Sequence, residues 1–142
     1  MELNTTVRWA GDMTFVGHGE KTKHAIVMDA GVDAGGLGIG VSPMELLLLG
    51  VGGCASIDVI MILEKARQQV TDCVARVSGV RRDEMPRKFT DIHLHFVVTG
   101  KNLKEAQVKR AVDLSMEKYC SASATLAEAA NLTFDYEVVD AE

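Results

Sequence analysis

The sequence predicts a mixed α+β fold in which the elements follow the order βββ-α-ββ-α-α-β. Three observations support this class. Short runs of β-forming residues fill the first third of the chain, a long apolar helix begins at Pro43, and polar and apolar residues alternate between Ile92 and Val98. At 142 residues the chain has room for one hydrophobic core, so we assign residues 1–142 to a single domain.

The first third is predicted to form three strands, at residues 4–10, 13–16 and 24–28, separated by turn signals such as Gly11-Asp12. Residues 29–40 are rich in glycine. They lack the Lys-Ser/Thr ending of a phosphate-binding loop and do not follow a strand with the dinucleotide-binding spacing. We therefore expect a mobile connector rather than a ligand-binding loop.

The strongest local signal is a helix start at Ser42-Pro43. Serine is a favoured N-cap, proline suits the first helical position, and Glu45 follows the cap by three residues as in a capping box. We expect this helix to reach about Gln69. Its first half is apolar nearly all round, which predicts that other structure wraps most of its surface.

Three glycines interrupt this helix and should lower its intrinsic stability, each by about 1 kcal/mol relative to alanine. They are Gly50, Gly52 and Gly53. Such a cluster predicts that another group packs very close to the helix backbone. Because a small chain has little material to cover so apolar a helix, we expect a homodimer.

The second half is predicted to contain a hairpin, two helices and a last strand. The hairpin strands are residues 73–80 and 90–99, joined by a charged tip at residues 81–86. Asn102, with Glu105 three residues later, marks the start of the second helix. A short third helix is expected at residues 123–130 and the last strand at residues 132–139.

Charge and hydropathy exclude several kinds of partner. The formal net charge is -5 and the signs are interleaved, which argues against nucleic-acid binding. The N-terminus has no basic segment followed by an apolar one, so we expect no secretory signal and a cytoplasmic protein. The apolar stretch from Met44 to Leu63 carries Glu45 and Asp58, and its uninterrupted part is too short to span a membrane.

The residues best suited to chemistry are thiols. Cys54 lies on the long helix with Asp58 one turn further along the same face, and Cys120 precedes the short third helix. A thiol at a helix N-terminus is stabilised as thiolate, so we expect Cys120 to be the more acidic of the two. Cys73 is interpreted as a small buried hydrophobe outside the pair.

Two histidines, His93 and His95, share one face of a predicted strand and would form half of a metal site. No further Cys, His or carboxylate is spaced along the sequence to complete it. We therefore expect neither a metal nor a cofactor.

Several motifs resemble the OsmC superfamily of osmotically inducible and organic hydroperoxide resistance proteins, and among these the YhfA-type branch. The motifs are S-P-M-E-L-L-L-L-G-V-G-G-C ending at Cys54, I-D-V-I-M-I-L-E-K after it, and A-V-D-L-S-M-E-K-Y-C ending at Cys120. The resemblance extends over nearly the whole chain. It includes Arg8-Trp9 in the first strand and the charged hairpin tip.

The resemblance implies an intertwined homodimer in which antiparallel sheets wrap long central helices, with active sites at the dimer interface. It also implies a two-cysteine reduction of organic hydroperoxides in oxidative stress defence. Cys54 would be the attacking thiol and Cys120 the resolving thiol, and a dithiol would reduce their disulfide. Arg8 is a candidate partner of the thiolate, and Glu45 a candidate activating carboxylate.

The sequence departs from the family's peroxidases at the activating positions. Met44 occupies the place of the usual glutamate, so Glu45 is one residue out of register, and no arginine occurs between Phe15 and His24. This leaves an alternative open: an OsmC-fold protein that binds a small apolar molecule and turns over weakly or not at all. A third interpretation, an acyl-thioester binder built around a wrapped helix, has no obvious catalytic base.

Overall fold

The computed structural model describes residues 1–142. The strands are β1 Thr5–Trp9, β2 Thr14–Gly19, β3 Ala25–Asp29, β4 Gln69–Arg81, β5 Phe89–Lys101 and β6 Asn131–Asp140. The α-helices are α1 Pro43–Lys65, α2 Glu105–Leu114 and α3 Ser121–Leu126. A 3₁₀ turn, Val32–Ala34, and a π-helical turn, Ser115–Tyr119, complete the order. The predicted α+β class and order of elements are confirmed.

The chain divides into two compact units, Met1–Leu47 and Leu48–Glu142. The first contains an antiparallel sheet of order β1-β2-β3, in which Trp9 pairs with Phe15 and Thr14 with Asp29. It also contains the glycine-rich loop.

The glycine-rich loop is organised by one buried carboxylate, that of Asp29, which is 1% exposed. Its oxygens accept hydrogen bonds from the amides of Gly31, Leu37 and Gly38 at 2.9, 3.1 and 3.2 Å, and from the Thr14 hydroxyl at 3.1 Å. A Cβ at Gly36 would lie 2.0 Å from Asp29 Oδ1, so only glycine fits there. The expectation of a mobile connector is therefore wrong.

The predicted capping box at the start of α1 is present. The Ser42 amide donates to Glu45 Oε1 at 3.1 Å, and the Glu45 amide donates to Ser42 Oγ at 3.1 Å. Each side chain thus satisfies a backbone donor that the first helical turn leaves unpaired.

The second unit contains a sheet of order β4-β5-β6. The predicted alternation in β5 is confirmed, because the side chains expected on its buried face are at most 1% exposed; they are Ile92, Leu94, Phe96 and Val98. β4 and β5 are antiparallel, but β6 pairs with β5 in parallel, from Asp91 opposite Asn131 to Gly100 opposite Asp140. The expectation of purely antiparallel sheets fails here, because the helical segment between β5 and β6 returns the chain to the same end of the sheet.

Helix α1 is buried along one stripe at helical spacing, formed by Val51, Ala55, Val59 and Leu63. It lies so close to β4 that a Cβ on Gly52 would be 2.9 Å from Val77 Cγ2. Gly50 and Gly53 have open space instead. The expected close packing is thus found at Gly52 alone, and within one chain most of the helix surface is not wrapped as expected.

Boundaries of all three helices differ from expectation; α3, expected at residues 123–130, spans Ser121–Leu126. α1 ends at Lys65 rather than near Gln69, because Arg67 adopts a left-handed conformation (φ 57°) and the Gln68 amide donates to the Leu63 carbonyl at 3.0 Å. α2 begins after Lys104, which makes no side-chain cap, whereas the expected cap Asn102 is itself left-handed (φ 54°).

A buried serine joins the end of α2 to α1. Ser115 is fully buried, and its hydroxyl donates to the Ala55 carbonyl at 2.8 Å. Its own carbonyl accepts from the Cys120 amide at 2.8 Å, closing the π-helical turn. One residue therefore connects the backbone beside Cys54 with the backbone of Cys120.

Replacing Asp29 with asparagine should destabilise the first unit at neutral pH, since an amide NH₂ cannot accept the loop hydrogen bonds. The loop hydrogen bonds, above all that from the Gly31 amide, hold the pKa of Asp29 below its usual value. Burial acts in the opposite direction but does not outweigh them. The carboxylate therefore contributes stability above the unfolded pKa of about 4, and that contribution is lost as pH falls through the lower folded pKa.

Thermal unfolding of wild type and Asp29→Asn between neutral and acid pH measures this effect. The difference in Tm should be largest at neutral pH and shrink in acid. The control is Asp33→Asn, which alters an exposed carboxyl in the same loop. An equal effect of both substitutions at every pH would contradict the role assigned to Asp29.

Replacing Ser115 with alanine should reduce the free energy of unfolding by about 1 kcal/mol, because a buried hydrogen bond is lost. Urea denaturation measures the loss, with Ser121→Ala as the control at an exposed serine. A Ser115→Ala protein as stable as wild type would show that the Ala55 contact contributes nothing.

Candidate functional site

The structure brings Cys54 and Cys120 together beside a carboxylate. The two sulfur atoms and one carboxylate oxygen of Asp58 all lie within 4.8 Å of one another. All three residues belong to the second unit, and both cysteines are free thiols. We call this group the thiol cluster.

Helix α1 supplies two members of the thiol cluster. Cys54 and Asp58 are four residues apart, so their side chains lie on the same face of α1. Both residues are partly exposed, yet the Asp58 Oδ2 atom is buried and has no hydrogen-bond partner. Buried carboxylate oxygens normally have partners, so this atom is unusual.

The third member, Cys120, is held by the start of α3. It is only 4% exposed, and its sulfur accepts a hydrogen bond from the Ser123 amide at 3.4 Å. Burial raises the pKa of the Cys120 thiol, and the bonds from Ser123 offset this only in part. The nearby Cys54 thiol raises the pKa further. The expectation that the helix N-terminus would make Cys120 acidic is therefore wrong, because burial outweighs the amide.

A cavity of about 620 Å³ opens beside Asp58. Its apolar wall includes Met61, Ile62 and Leu114, and Lys65 and Arg110 bring positive charge to it. A smaller cavity of about 330 Å³ is lined in part by Cys120.

The remaining candidate residues are Arg8 and Glu45 in the first unit and Cys73 in the second. Arg8 is exposed on β1, where it pairs in register with Val16. The Glu45 carboxylate is engaged in the capping box, where the Ser42 amide lowers its pKa. Cys73 lies on β4, where burial and then the charge of Asp72 raise the pKa of its thiol.

The histidines on β5 have partners that the sequence did not reveal. Asp135 Oδ1 lies 2.9 Å from His93 Nε2 and 2.7 Å from His95 Nδ1, and Glu137 Oε2 lies 3.5 Å from His95 Nε2. The histidines, His95 foremost, lower the pKa of Asp135. Spacing along the sequence could not reveal these two carboxylates, because it is the parallel pairing with β6 that places them beside the histidines.

Sequence reasoning missed Ser115 and Arg110. Neither belongs to a recognisable catalytic motif. Only the hydrogen bond from Ser115 to Ala55, and the cavity that Arg110 shares with residues of α1, reveal what they are near. Helical periodicity did indicate Asp58, since the spacing of four residues from Cys54 was visible.

Comparisons with known proteins identify the family of this chain. The sequence model of the family described as "OsmC-like protein" matches residues 35–135. Protein YhfA of Escherichia coli (strain K12) is 49% identical over 139 residues, which are 98% of this chain and 100% of YhfA.

Solved structures of similar proteins share this fold. A hypothetical protein from Aquifex aeolicus VF5 is 31% identical, with a TM-score of 0.86 over 100% of this chain and 99% of the other. An organic hydroperoxide resistance protein OsmC from Legionella pneumophila shares the fold, with a TM-score of 0.74, at 14% identity over 97% and 98% of the two chains. Sequence and structure together place this chain in the OsmC-like protein family.

Proposed function

We propose that this protein reduces organic hydroperoxides with Cys54 and Cys120 as a redox pair, in defence against oxidative stress. The observation that supports it is the approach of the two sulfur atoms to within 4.8 Å. An S–S bond is about 2.05 Å long, so side-chain movements of a few ångströms are enough to form it.

The proposed reaction has three balanced steps. The Cys54 thiolate attacks the terminal oxygen of the hydroperoxide and breaks its O–O bond, which gives a sulfenic acid and an alkoxide that takes up a proton from solvent and leaves as the alcohol. The Cys120 thiol then attacks that sulfur, forming a disulfide and releasing water. A dithiol reductant finally exchanges with the disulfide, which restores both thiols and leaves the reductant oxidised.

Exposure supports this division of roles. Cys54 is partly exposed, whereas Cys120 is 4% exposed and held by Ser123. A substrate therefore meets Cys54 first. A buried thiol beside it is suited to attack the sulfenic acid once that has formed.

The cavity beside Asp58 supports an apolar substrate. Its volume of about 620 Å³ suits a small organic molecule, and Met61, Ile62 and Leu114 offer an alkyl group an apolar surface.

Asp58 also favours a second candidate function. A negative carboxylate near a thiol opposes formation of the thiolate, and Met44 stands where the family's peroxidases have a glutamate. A protein that keeps the fold and the cavity, and binds a small apolar molecule without rapid turnover, would fit these features. A ligand retained through purification, with normal function in Cys54→Ser, would favour it.

We also propose that the functional unit is a homodimer. The outward face of α1 carries exposed apolar side chains, Leu49 and Ile57, beside the open glycines Gly50 and Gly53. By length and composition α1 could cross a membrane, with a mean hydropathy of 2.3 over 18 residues. The OsmC-like fold instead indicates a soluble protein, in which a second copy would cover this face.

Free thiols suit the reducing cytoplasm, which is the location we propose.

Stopped-flow mixing of reduced protein with excess cumene hydroperoxide, in the presence of a dithiol reductant, tests the peroxidase function. Cys54→Ser should reduce consumption to the uncatalysed rate, because the attacking sulfur is lost. Cys120→Ser should consume a single equivalent and then stop, since its sulfenic acid cannot become the internal disulfide.

The matched control is Cys73→Ser, which should turn over as wild type does because Cys73 lies outside the thiol cluster. Failure of the reduced wild-type protein to oxidise Cys54 within minutes, at micromolar concentration, would exclude the peroxidase and leave the binding function.

A further inference from the structure

We propose that the reduced thiol cluster is a binding site for a thiophilic divalent cation of the Zn²⁺ class, with Cys54, Asp58 and Cys120 as its three protein ligands. Binding depends only on the reduced cluster. Its consequence, reversible inhibition of the peroxidase, rests on the proposed function.

The distances between the candidate ligand atoms suit such a cation. Zn²⁺ binds thiolate at about 2.3 Å and carboxylate oxygen at about 2.0–2.2 Å in tetrahedral sites, so neighbouring ligand atoms lie roughly 3.4–3.8 Å apart. The three atoms of the cluster already lie within 4.8 Å of one another. Small changes of side-chain torsion are enough to close them on one ion.

The unpartnered oxygen of Asp58 is an independent observation that points to a ligand. Asp58 Oδ2 is buried without a hydrogen-bond partner, although a buried carboxylate oxygen left unpaired is costly. A cation bound between this carboxylate and the two sulfurs would compensate its charge. It would also satisfy the lone pairs that no protein donor reaches.

The backbone holds the three ligands from two directions. Cys54 and Asp58 project from one face of α1, at the four-residue spacing that lets two helical side chains bind one ion. Cys120 lies at the end of the π-helical turn that begins at Ser115, whose hydroxyl is hydrogen-bonded to the Ala55 carbonyl. The Ser123 amide donates to the Cys120 sulfur and orients it. A site built on helices in this way is largely formed before the ion arrives.

The two sulfurs and one carboxylate oxygen favour some metal ions over others and leave one coordination position free. Two sulfurs favour Zn²⁺ over Mg²⁺ or Ca²⁺, which prefer all-oxygen sites. Three protein ligands leave the fourth tetrahedral position open to water or a small ligand. Asp58 also lines the 620 Å³ cavity, from which such a ligand would enter.

Cobalt substitution tests the site directly. Reduced, metal-free protein is titrated with Co²⁺, and thiolate ligation is read from the sulfur-to-cobalt charge-transfer absorption. Zn²⁺ affinity follows from competition with a chromophoric chelator. We expect one ion per chain and loss of the charge-transfer band in both Cys54→Ser and Cys120→Ser, with circular dichroism confirming that each variant is folded.

Two further variants separate this site from adventitious thiol binding. Asp58→Asn should weaken Zn²⁺ binding by roughly 10-fold or more, because a charged ligand is replaced by a neutral amide. Cys73→Ser should bind as wild type does. Loss of binding in Cys73→Ser, or unchanged affinity in Asp58→Asn, would overturn the proposal.

The same measurements distinguish this proposal from the peroxidase function. Zn²⁺ should stop hydroperoxide consumption, a chelator should restore it, and the disulfide form should bind no Co²⁺. Turnover in a protein that gives no cobalt spectrum would refute the metal site alone. A cobalt spectrum in a protein that consumes no hydroperoxide would refute the peroxidase alone.

Discussion

A single buried hydrogen bond, from the Ser115 hydroxyl to the Ala55 carbonyl, links the segments that carry the two sulfurs of the thiol cluster. Cys54 is the neighbour of Ala55 in α1, and the Cys120 amide is bonded to the Ser115 carbonyl. The bond has the ordinary length of a hydroxyl hydrogen bond and lies away from water, so solvent does not compete with it. The meeting of two thiols far apart in sequence therefore depends on a residue that is not itself reactive.

Asp58 gives this arrangement its particular chemistry. Its carboxylate lies beside both sulfurs, so an acid and two thiols share one small site. Burial of Cys120 disfavours the ionised form of that thiol. A group that brings positive charge to the cluster would offset the effect of this burial.

The parts of the fold that were predictable are those fixed by local chemistry. The capping box at Ser42 and the alternation along β5 follow from side chains acting on their own backbone or on one buried face. The end of α1 was not predictable, because the left-handed residue that closes it is Arg67 and not a glycine. Likewise, the parallel pairing of β6 places Asp135 beside two histidines, and no spacing along the chain records that proximity.

The candidate site, like the fold, was predictable only where local chemistry determines it. Periodicity placed Asp58 on the face of Cys54, but the pairing of Cys54 with Cys120 was inferred from family resemblance and not from spacing. The acidity expected of Cys120 was wrong because the helix N-terminus was visible in the sequence and the burial was not. Ser115 could not be recognised at all, since a buried serine and an exposed one look alike in a sequence.

The loop around Asp29 bears on how this protein can be altered. Its composition would make it the natural choice for inserting a tag or a fluorescent label, because glycine-rich segments are usually permissive. Here three of its amides converge on one carboxylate, and a side chain at Gly36 has no room. An insertion there would break the hydrogen bonds to Asp29 that hold the loop together. The segment richest in glycine is therefore one of the places where an insertion is least tolerated.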